Sequence, residues 1–171
     1  MNKNLLYIVD DDPMHSQMMH DHIQKKHNFQ IKTFSTGEDA VEAMNGIQPG
    51  IVVLDYHLDS VKAGARNGVE ILQFVKKNYP DTDVIMFSGQ DKIDVAVDSM
   101  QYGAIDYVVK NESAFVRTEH AIQRIADKYR LQSQVVHYRK LNAILIVGFL
   151  AIIGLTIGCL LYTSPSPRDH Q

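Results

Sequence analysis

Short apolar runs alternate with amphipathic stretches through the first 140 residues of the chain. The apolar runs predict five β-strands, at residues 5–9, 29–34, 51–54, 84–87 and 105–109. The amphipathic stretches predict five helices, which begin near Met14, Thr36, Val69, Asp91 and Ser113. Because each strand is followed by a helix, the pattern predicts an α/β fold with a parallel five-stranded sheet and helices on both faces.

Side chains suited to chemistry follow four of the predicted strands. Open parallel sheets bind ligands beyond the carboxyl ends of their strands, so these side chains are expected to converge at one edge. No glycine-rich loop follows the first strand, which argues against a dinucleotide site or a P-loop. The side chains concerned are Asp10, Asp11, Asp55, Ser88 and Lys110.

This set of groups predicts phosphoryl chemistry on a carboxylate. Asp10, Asp11 and Asp55 would repel one another unless a divalent cation lay between them, and Mg²⁺ prefers such oxygen ligands. A carboxylate at such a site can act as the nucleophile toward a phosphoryl group, with Lys110 and Ser88 binding the phosphoryl oxygens. Taken singly, an acid after a strand more often caps a helix, and a lone lysine is usually solvated.

Four segments resemble the receiver domain of two-component response regulators, over about residues 3–126. They read YIVDDDP, IVVLDYHLD, VIMFSG and GAIDYVVK, in the order and spacing of that family. The resemblance implies a flavodoxin-like fold with a parallel sheet in the order 2-1-3-4-5. It also implies a protein that accepts a phosphoryl group from a histidine kinase or phosphotransfer protein and is not itself an enzyme.

The resemblance also implies a role for each site residue. Asp55 matches the phosphoacceptor, and Lys110 matches the invariant lysine. Ser88 matches the switch hydroxyl, and Tyr107 matches the switch aromatic residue. The Mg²⁺ ligands implied are Asp10, Asp11, Asp55 and the backbone carbonyl of His57.

The chain departs from the family pattern at two informative positions. Asn111 follows Lys110 where the family usually has a proline after a cis peptide bond, so a trans bond is expected here. The loop between Asp55 and Gly68 is longer than usual. The inserted residues 59–67 are expected to be an inert surface loop or, alternatively, a contact for a partner.

The chain carries no charged residue from Leu141 to Pro167, and residues 143–161 are almost wholly apolar. Nineteen helical residues span about 28 Å, close to the thickness of the hydrocarbon core of a bilayer. The sequence therefore predicts a receiver domain at 1–126, a helical linker at 127–140 and a transmembrane helix at 141–161. Basic residues just before the apolar run, Lys128, Arg130, Arg139 and Lys140, predict a cytoplasmic receiver domain anchored in the inner membrane.

The last residues, 162–171, are predicted to be a tail. Residues 159–169, CLLYTSPSPRD, resemble the translation of a sequencing adapter. The natural part of the sequence is therefore expected to stop near Gly158, and the residues after it to be translated adapter. A genuine Ser/Pro-rich tail is the alternative. Cys159 is the one cysteine of the chain, which excludes a disulfide within it.

An apolar stripe runs along the last predicted helix. Its positions, at spacings of three and four residues, are Ile122, Ile125, Tyr129, Gln132 and Val136, and the polar Gln132 weakens it as a coiled-coil core. Two interpretations stay open: the stripe packs on its own domain, or it forms a homodimer through the last receiver helix.

The sequence leaves several functions to distinguish. The leading hypothesis is a membrane-tethered receiver switched by phosphorylation, and a net charge of -3 gives no sign of a nucleic-acid partner. One alternative is the amino-terminal fragment of a larger membrane signalling protein whose output domain is missing. Another is an interaction module of receiver shape that is never phosphorylated. A phosphohydrolase is disfavoured, because Asp55-Tyr56-His57 lacks a second acid.

Overall fold

The computed structural model describes residues 1–58, 66–89 and 93–162. The strands are β1 (Asn2–Val9), β2 (Gln30–Phe34), β3 (Pro49–Asp55), β4 (Asp83–Ser88) and β5 (Asp106–Val109). The helices are α1 (Pro13–Gln24), α2 (Gly37–Met44), α3 (Gly68–Asn78), α4 (Ile93–Gln101) and α5 (Ala114–Tyr162). The strands form one parallel sheet in the order β2-β1-β3-β4-β5, so the predicted fold class and strand order are confirmed.

Both faces of the sheet are buried, as the continuous apolar runs of its central strands require. Alternate residues of β1 point to opposite faces, so Leu5 and Tyr7 pack with buried residues of α2 and α3. Leu6 and Ile8, which point the other way, are equally buried. The Glu119 carboxylate described below joins α1 to α5.

The first and third strands extend further than the sequence predicted. β1 begins at Asn2, whose N–H donates to the Gln48 carbonyl at 2.8 Å, and β3 begins at Pro49 rather than after Gly50. Proline is tolerated as the first residue of a strand because it lacks only a hydrogen-bond donor. Gly50 is required there by a close approach, since a Cβ would lie 2.9 Å from the Lys3 Cα.

Side-chain caps begin three of the helices. Asp12 accepts hydrogen bonds from the backbone N–H groups of Met14 and His15, and the Met14 bond holds the pKa of Asp12 below its usual value. Thr36, near which the sequence predicted this helix to begin, caps α2 by accepting from the Asp39 N–H. Asn67 and Glu70 form a reciprocal capping box at the start of α3. Of the three consecutive acids after β1, Asp12 is therefore the helix cap.

A charged cluster joins α1 to α5. The Glu119 carboxylate accepts from Lys26 Nζ at 2.8 Å, lies 2.8 Å from His22 Nε2 and 4.0 Å from His27 Nε2. The Lys26 hydrogen bond, helped by His22, holds the pKa of Glu119 below its usual value. The contacts of His22 and His27 have no local sequence signal, because their partner lies 92 or more residues away along the chain.

The chain divides into two compact units, Met1–Asp127 and Lys128–Gln171. In the first unit Ile122 and Ile125 are 0% and 2% exposed, so this half of the predicted stripe packs on its own domain and is not free to form a homodimer. The described part of the second unit is the remainder of α5. Within the described chain α5 is long and apolar enough to cross a membrane, by length and composition alone, with a mean hydropathy of 2.4 in its most apolar window.

Candidate functional site: an acidic edge with one lysine

Three carboxylates meet at the carboxyl edge of the sheet, as predicted. Asp10 follows β1, and Asp55 ends the neighbouring strand β3. Together with Asp11 they place one oxygen each within 4.8 Å of one another. Asp10 and Asp55 are buried, whereas Asp11 is half-buried, so the cluster opens toward solvent on the Asp11 side.

Lys110 joins two of these carboxylates. Its Nζ lies 2.7 Å from Asp55 Oδ2 and 2.9 Å from Asp10 Oδ2. The lysine reaches them because its backbone N–H donates to the Ser88 carbonyl at 2.7 Å, which fixes the end of β5 beside the end of β4. Lys110 is therefore an ion-pair partner of the acidic cluster rather than a solvated side chain.

Burial and their contact with each other shift the pKa values of Asp55 and Lys110. Burial raises the pKa of Asp55 to about 6, although the hydrogen bond and charge of Lys110 act in the opposite direction. Burial alone would lower the pKa of Lys110, but the hydrogen bond and charge of Asp55, with those of Asp10, outweigh it and raise that pKa. Lys110 thus stays charged at neutral pH. The Asp55 carboxyl, with its raised pKa, holds a proton more readily than an exposed aspartate does.

The donor set fits a divalent cation. Three carboxylates and one ammonium carry a formal charge of -3 + 1 = -2 when all are ionised, which one Mg²⁺ balances. The oxygens are hard ligands, and Mg²⁺ typically uses one or two carboxylates with waters and a phosphate oxygen. The half-buried position of Asp11 leaves an open side for such waters. The predicted ligands Asp10, Asp11 and Asp55 are thus brought together.

The other predicted site residues occupy the same edge or its border. Ser88 ends β4 and is fully buried one residue beyond Phe87, which is level with Asp55 in the β3–β4 register. Tyr107 is half-buried in β5, level with Met86. His57 is exposed, and its N–H donates to Asp55 Oδ1 at 3.3 Å. The proposed role of the His57 carbonyl as a metal ligand stays a prediction.

Gly68 holds the backbone around Asp55 in place. Its N–H donates to the Tyr56 carbonyl at 2.8 Å. A Cβ at this position would lie 2.1 Å from the Asp55 carbonyl oxygen and 2.8 Å from the Tyr56 Cα. Because both neighbours are backbone, they cannot rotate away, so the start of α3 can approach the end of β3 this closely only at a glycine.

Sequence reasoning missed an aromatic contact to the lysine. Lys110 Nζ lies 5.1 Å from the centroid of the Phe87 ring, within the range of a cation–π interaction. Phe87 in turn packs beside Phe115 of α5, with ring centroids 6.2 Å apart. In the sequence Phe87 is only the last residue of an apolar run, so no local signal marks it.

Two departures from the family pattern have different outcomes. Every peptide bond among the described residues is trans, including the one between Lys110 and Asn111, as expected in the absence of proline. Most of the inserted loop, residues 59–65, lies outside the described residues, so the choice between an inert loop and a partner contact stays open.

The family model for the response regulator receiver domain matches residues 6–121. The chain belongs to this family. The predicted resemblance to a receiver domain is therefore confirmed for this part of the chain.

Known proteins similar to this receiver domain are longer than it. The luminescence regulatory protein LuxO of Vibrio campbellii is 34% identical over 80 residues, which cover 47% of this chain and 17% of LuxO. The transcriptional regulator NtrC of Proteus hauseri is 28% identical over 134 residues, which cover 78% of this chain and 27% of NtrC. The chain thus spans about a quarter or less of these two curated relatives.

Solved structures show the same fold. The receiver domain of NtrX from Brucella abortus is 27% identical, with a TM-score of 0.62 over 71% of this chain and 98% of that chain. The beryllofluoride-activated DrrB receiver domain is 25% identical, with a TM-score of 0.63 over 74% of this chain and 99% of that chain. Both matches cover nearly all of the known domain, so the receiver fold is present in full length.

Proposed function

We propose that this receiver domain accepts a phosphoryl group on Asp55 from a phosphohistidine of a histidine kinase or phosphotransfer protein. The observation that carries the proposal is the Lys110 ammonium, which lies 2.7 Å from a buried carboxylate inside a cluster of three acids. A structural ion pair needs one acid for one lysine. The surplus acids make the site costly unless it binds a divalent cation, and Mg²⁺ held by carboxylates typically keeps positions open for a phosphate oxygen.

The transfer uses groups already at the edge of the sheet. An oxygen of Asp55 attacks phosphorus, and the bond between phosphorus and the donor imidazole nitrogen breaks. The imidazole keeps the electron pair and takes up a proton, while Asp55 becomes an aspartyl phosphate. Lys110, beside Asp55 Oδ2, is placed to bind a phosphoryl oxygen and to offset the charge that gathers on it.

Mg²⁺ would be held by Asp10, Asp11 and Asp55, with the His57 carbonyl as the further proposed ligand. When bound, it supplies positive charge to the phosphoryl oxygens in the transition state. Asp10 also accepts hydrogen bonds from the Asp12 N–H at 3.0 Å and from Lys110, which fix its orientation. Asp12, as the cap of α1, ties the position of this helix to the metal-binding acids.

The proposed switch runs along β4 and β5. A phosphoryl group on Asp55 would attract the Ser88 hydroxyl and Lys110, which are linked by the bond from the Lys110 N–H to the Ser88 carbonyl. Tyr107 lies on β5 three residues before Lys110 and is half-buried against the core, so a shift of the strand end would be passed to its ring. This proposal assigns Ser88 and Tyr107 the switch roles that the family pattern implies.

Incubation with acetyl phosphate tests the proposed function. In the presence of Mg²⁺ the full chain in detergent is expected to gain the mass of one phosphoryl group, with acetate as the leaving group. Chelation of the metal with EDTA is expected to prevent the gain, because the acids then lack the charge that balances the phosphoryl oxygens. Intact-protein mass spectrometry measures both results. A chain that never gains this mass with Mg²⁺ would favour the non-phosphorylated interaction module instead.

We also propose that residues 141–161 anchor the protein in the inner membrane, with the receiver domain in the cytoplasm. The support is the uncharged stretch inside α5 and the basic residues that precede it. A stop codon after Lys140 removes the apolar stretch and is expected to move the protein from the membrane pellet to the supernatant. Immunoblotting of fractions after carbonate extraction measures this. A full-length chain that carbonate releases would contradict the anchor.

A further inference from the structure

A second apolar face is exposed along α5 within the second unit. Its residues recur at alternating spacings of four and three, the pattern of a and d positions in a heptad repeat. Each of its large apolar side chains is between 50% and 68% exposed. We call this the heptad face, and its apolar members are Leu131, Val135, Tyr138, Leu145, Phe149 and Ile152.

Two polar residues complete the same register. Asn142 falls at an a position between Tyr138 and Leu145, and Thr156 falls at the last a position. Thr156 donates to the Ile153 carbonyl at 2.8 Å, so its hydroxyl is satisfied within the helix. No described residue hydrogen-bonds the Asn142 side chain. The repeat thus runs from 131 to 156, about three and a half heptads, with one unpaired amide near its middle.

Between residues 130 and 140 the charged side chains avoid this face. Arg130, Arg139 and Lys140 fall at c, e and f positions, outside the a and d positions. The face also differs from the stripe that the sequence predicted, because Ile122 and Ile125 of that stripe are buried in the first unit. The heptad face therefore does not pack into the receiver core.

We propose that a second copy of this chain packs along the heptad face, in parallel and in register. The pattern is self-complementary, because two copies of one heptad face can pack their a and d side chains against each other, and one Asn at an a position selects register and a dimer. Two copies inserted in one membrane in the same orientation place their Asn142 amides at the same level, where each can bond the other. The apolar half of the face beyond Asn142 rests on the membrane anchor proposed above; the half from 131 to 138 does not.

Disulfide scanning of the full chain in membrane vesicles tests this packing. In a Cys159→Ser background, single cysteines replace Leu131, Val135 or Tyr138 on the face. Ser133 and Lys140, both at f positions, receive cysteines as matched controls. With copper phenanthroline as the oxidant, cross-linking at 131, 135 and 138 is expected to be at least about tenfold faster than at 133 and 140, because only a and d side chains meet across a coiled coil.

The same samples separate the competing outcomes. Equal rates at all positions, no cross-link at any, or faster cross-linking at 133 or 140 than at 131, 135 and 138 would overturn the heptad face as the contact. Replacing Asn142 by alanine is expected to slow cross-linking at 138 about threefold, and glutamine to restore part of it. Carbonate extraction of the same vesicles reports on the membrane anchor separately, and the phosphorylation assay on the receiver is independent of both.

Discussion

Replacing Asp55 by asparagine is expected to abolish phosphorylation by acetyl phosphate. Asparagine keeps the shape of the side chain but offers a neutral amide, which is a poor nucleophile toward phosphorus. It also removes one of the three carboxylates that share the cation site. The mass of the D55N variant should stay unchanged under conditions in which the unmodified chain gains one phosphoryl group.

A matched control isolates the acceptor. Asp81 is an exposed acid in the turn before β4, away from the acidic edge. The D81N variant is expected to gain the phosphoryl mass at the normal rate. Circular dichroism should show both variants folded, so that a loss in D55N cannot come from unfolding. A D55N chain that still gains the mass would show that another residue is the acceptor.

Replacing Lys110 by methionine is expected to slow phosphorylation by about a hundredfold or more. Methionine preserves much of the apolar stem but removes the ammonium that lies 2.7 Å from Asp55 Oδ2. Removal of one group that stabilises transition-state charge typically costs a factor of about 10² to 10³. The rate of mass gain at saturating Mg²⁺ and acetyl phosphate measures the effect.

The lysine prediction has its own control and its own contradiction. Lys77 is an exposed lysine in the last turn of α3, and K77M removes the same charge at a distance from the site. It is expected to leave the rate unchanged. If K110M reacted as fast as K77M, Lys110 would serve only as a structural ion-pair partner of the buried acids.

The acidic edge was predictable because topology alone positions it. Asp10, Asp55 and Lys110 each follow a recognisable apolar run, and parallel strands put their carboxyl ends on one side of the sheet. The start of α2 was also readable locally, since Thr36 stands directly before an amphipathic segment and threonine is a favoured helix cap. The positions of these residues along the chain were therefore enough to predict that they lie close together, without any knowledge of side-chain packing.

Features that depend on distant partners were not predictable in this way. The contact of His22 with Glu119 joins residues 97 positions apart, and nothing local distinguishes it from a solvated pair. The start of β3 at Pro49 depends on its pairing with Asn2 of β1. The last helix carries two apolar stripes, and only burial shows that Ile122 belongs to the receiver core. Such choices are made by tertiary packing, which periodicity alone does not resolve.

Chemical trapping of the phosphorylated residue tests the central claim most directly. Borohydride reduces an aspartyl phosphate to homoserine, and peptide mass spectrometry then locates the change in the sequence. After treatment with Mg²⁺ and acetyl phosphate, the conversion is expected at Asp55 and at no other aspartate. Conversion at a different residue, or phosphorylated chain with no homoserine at position 55, would contradict the account.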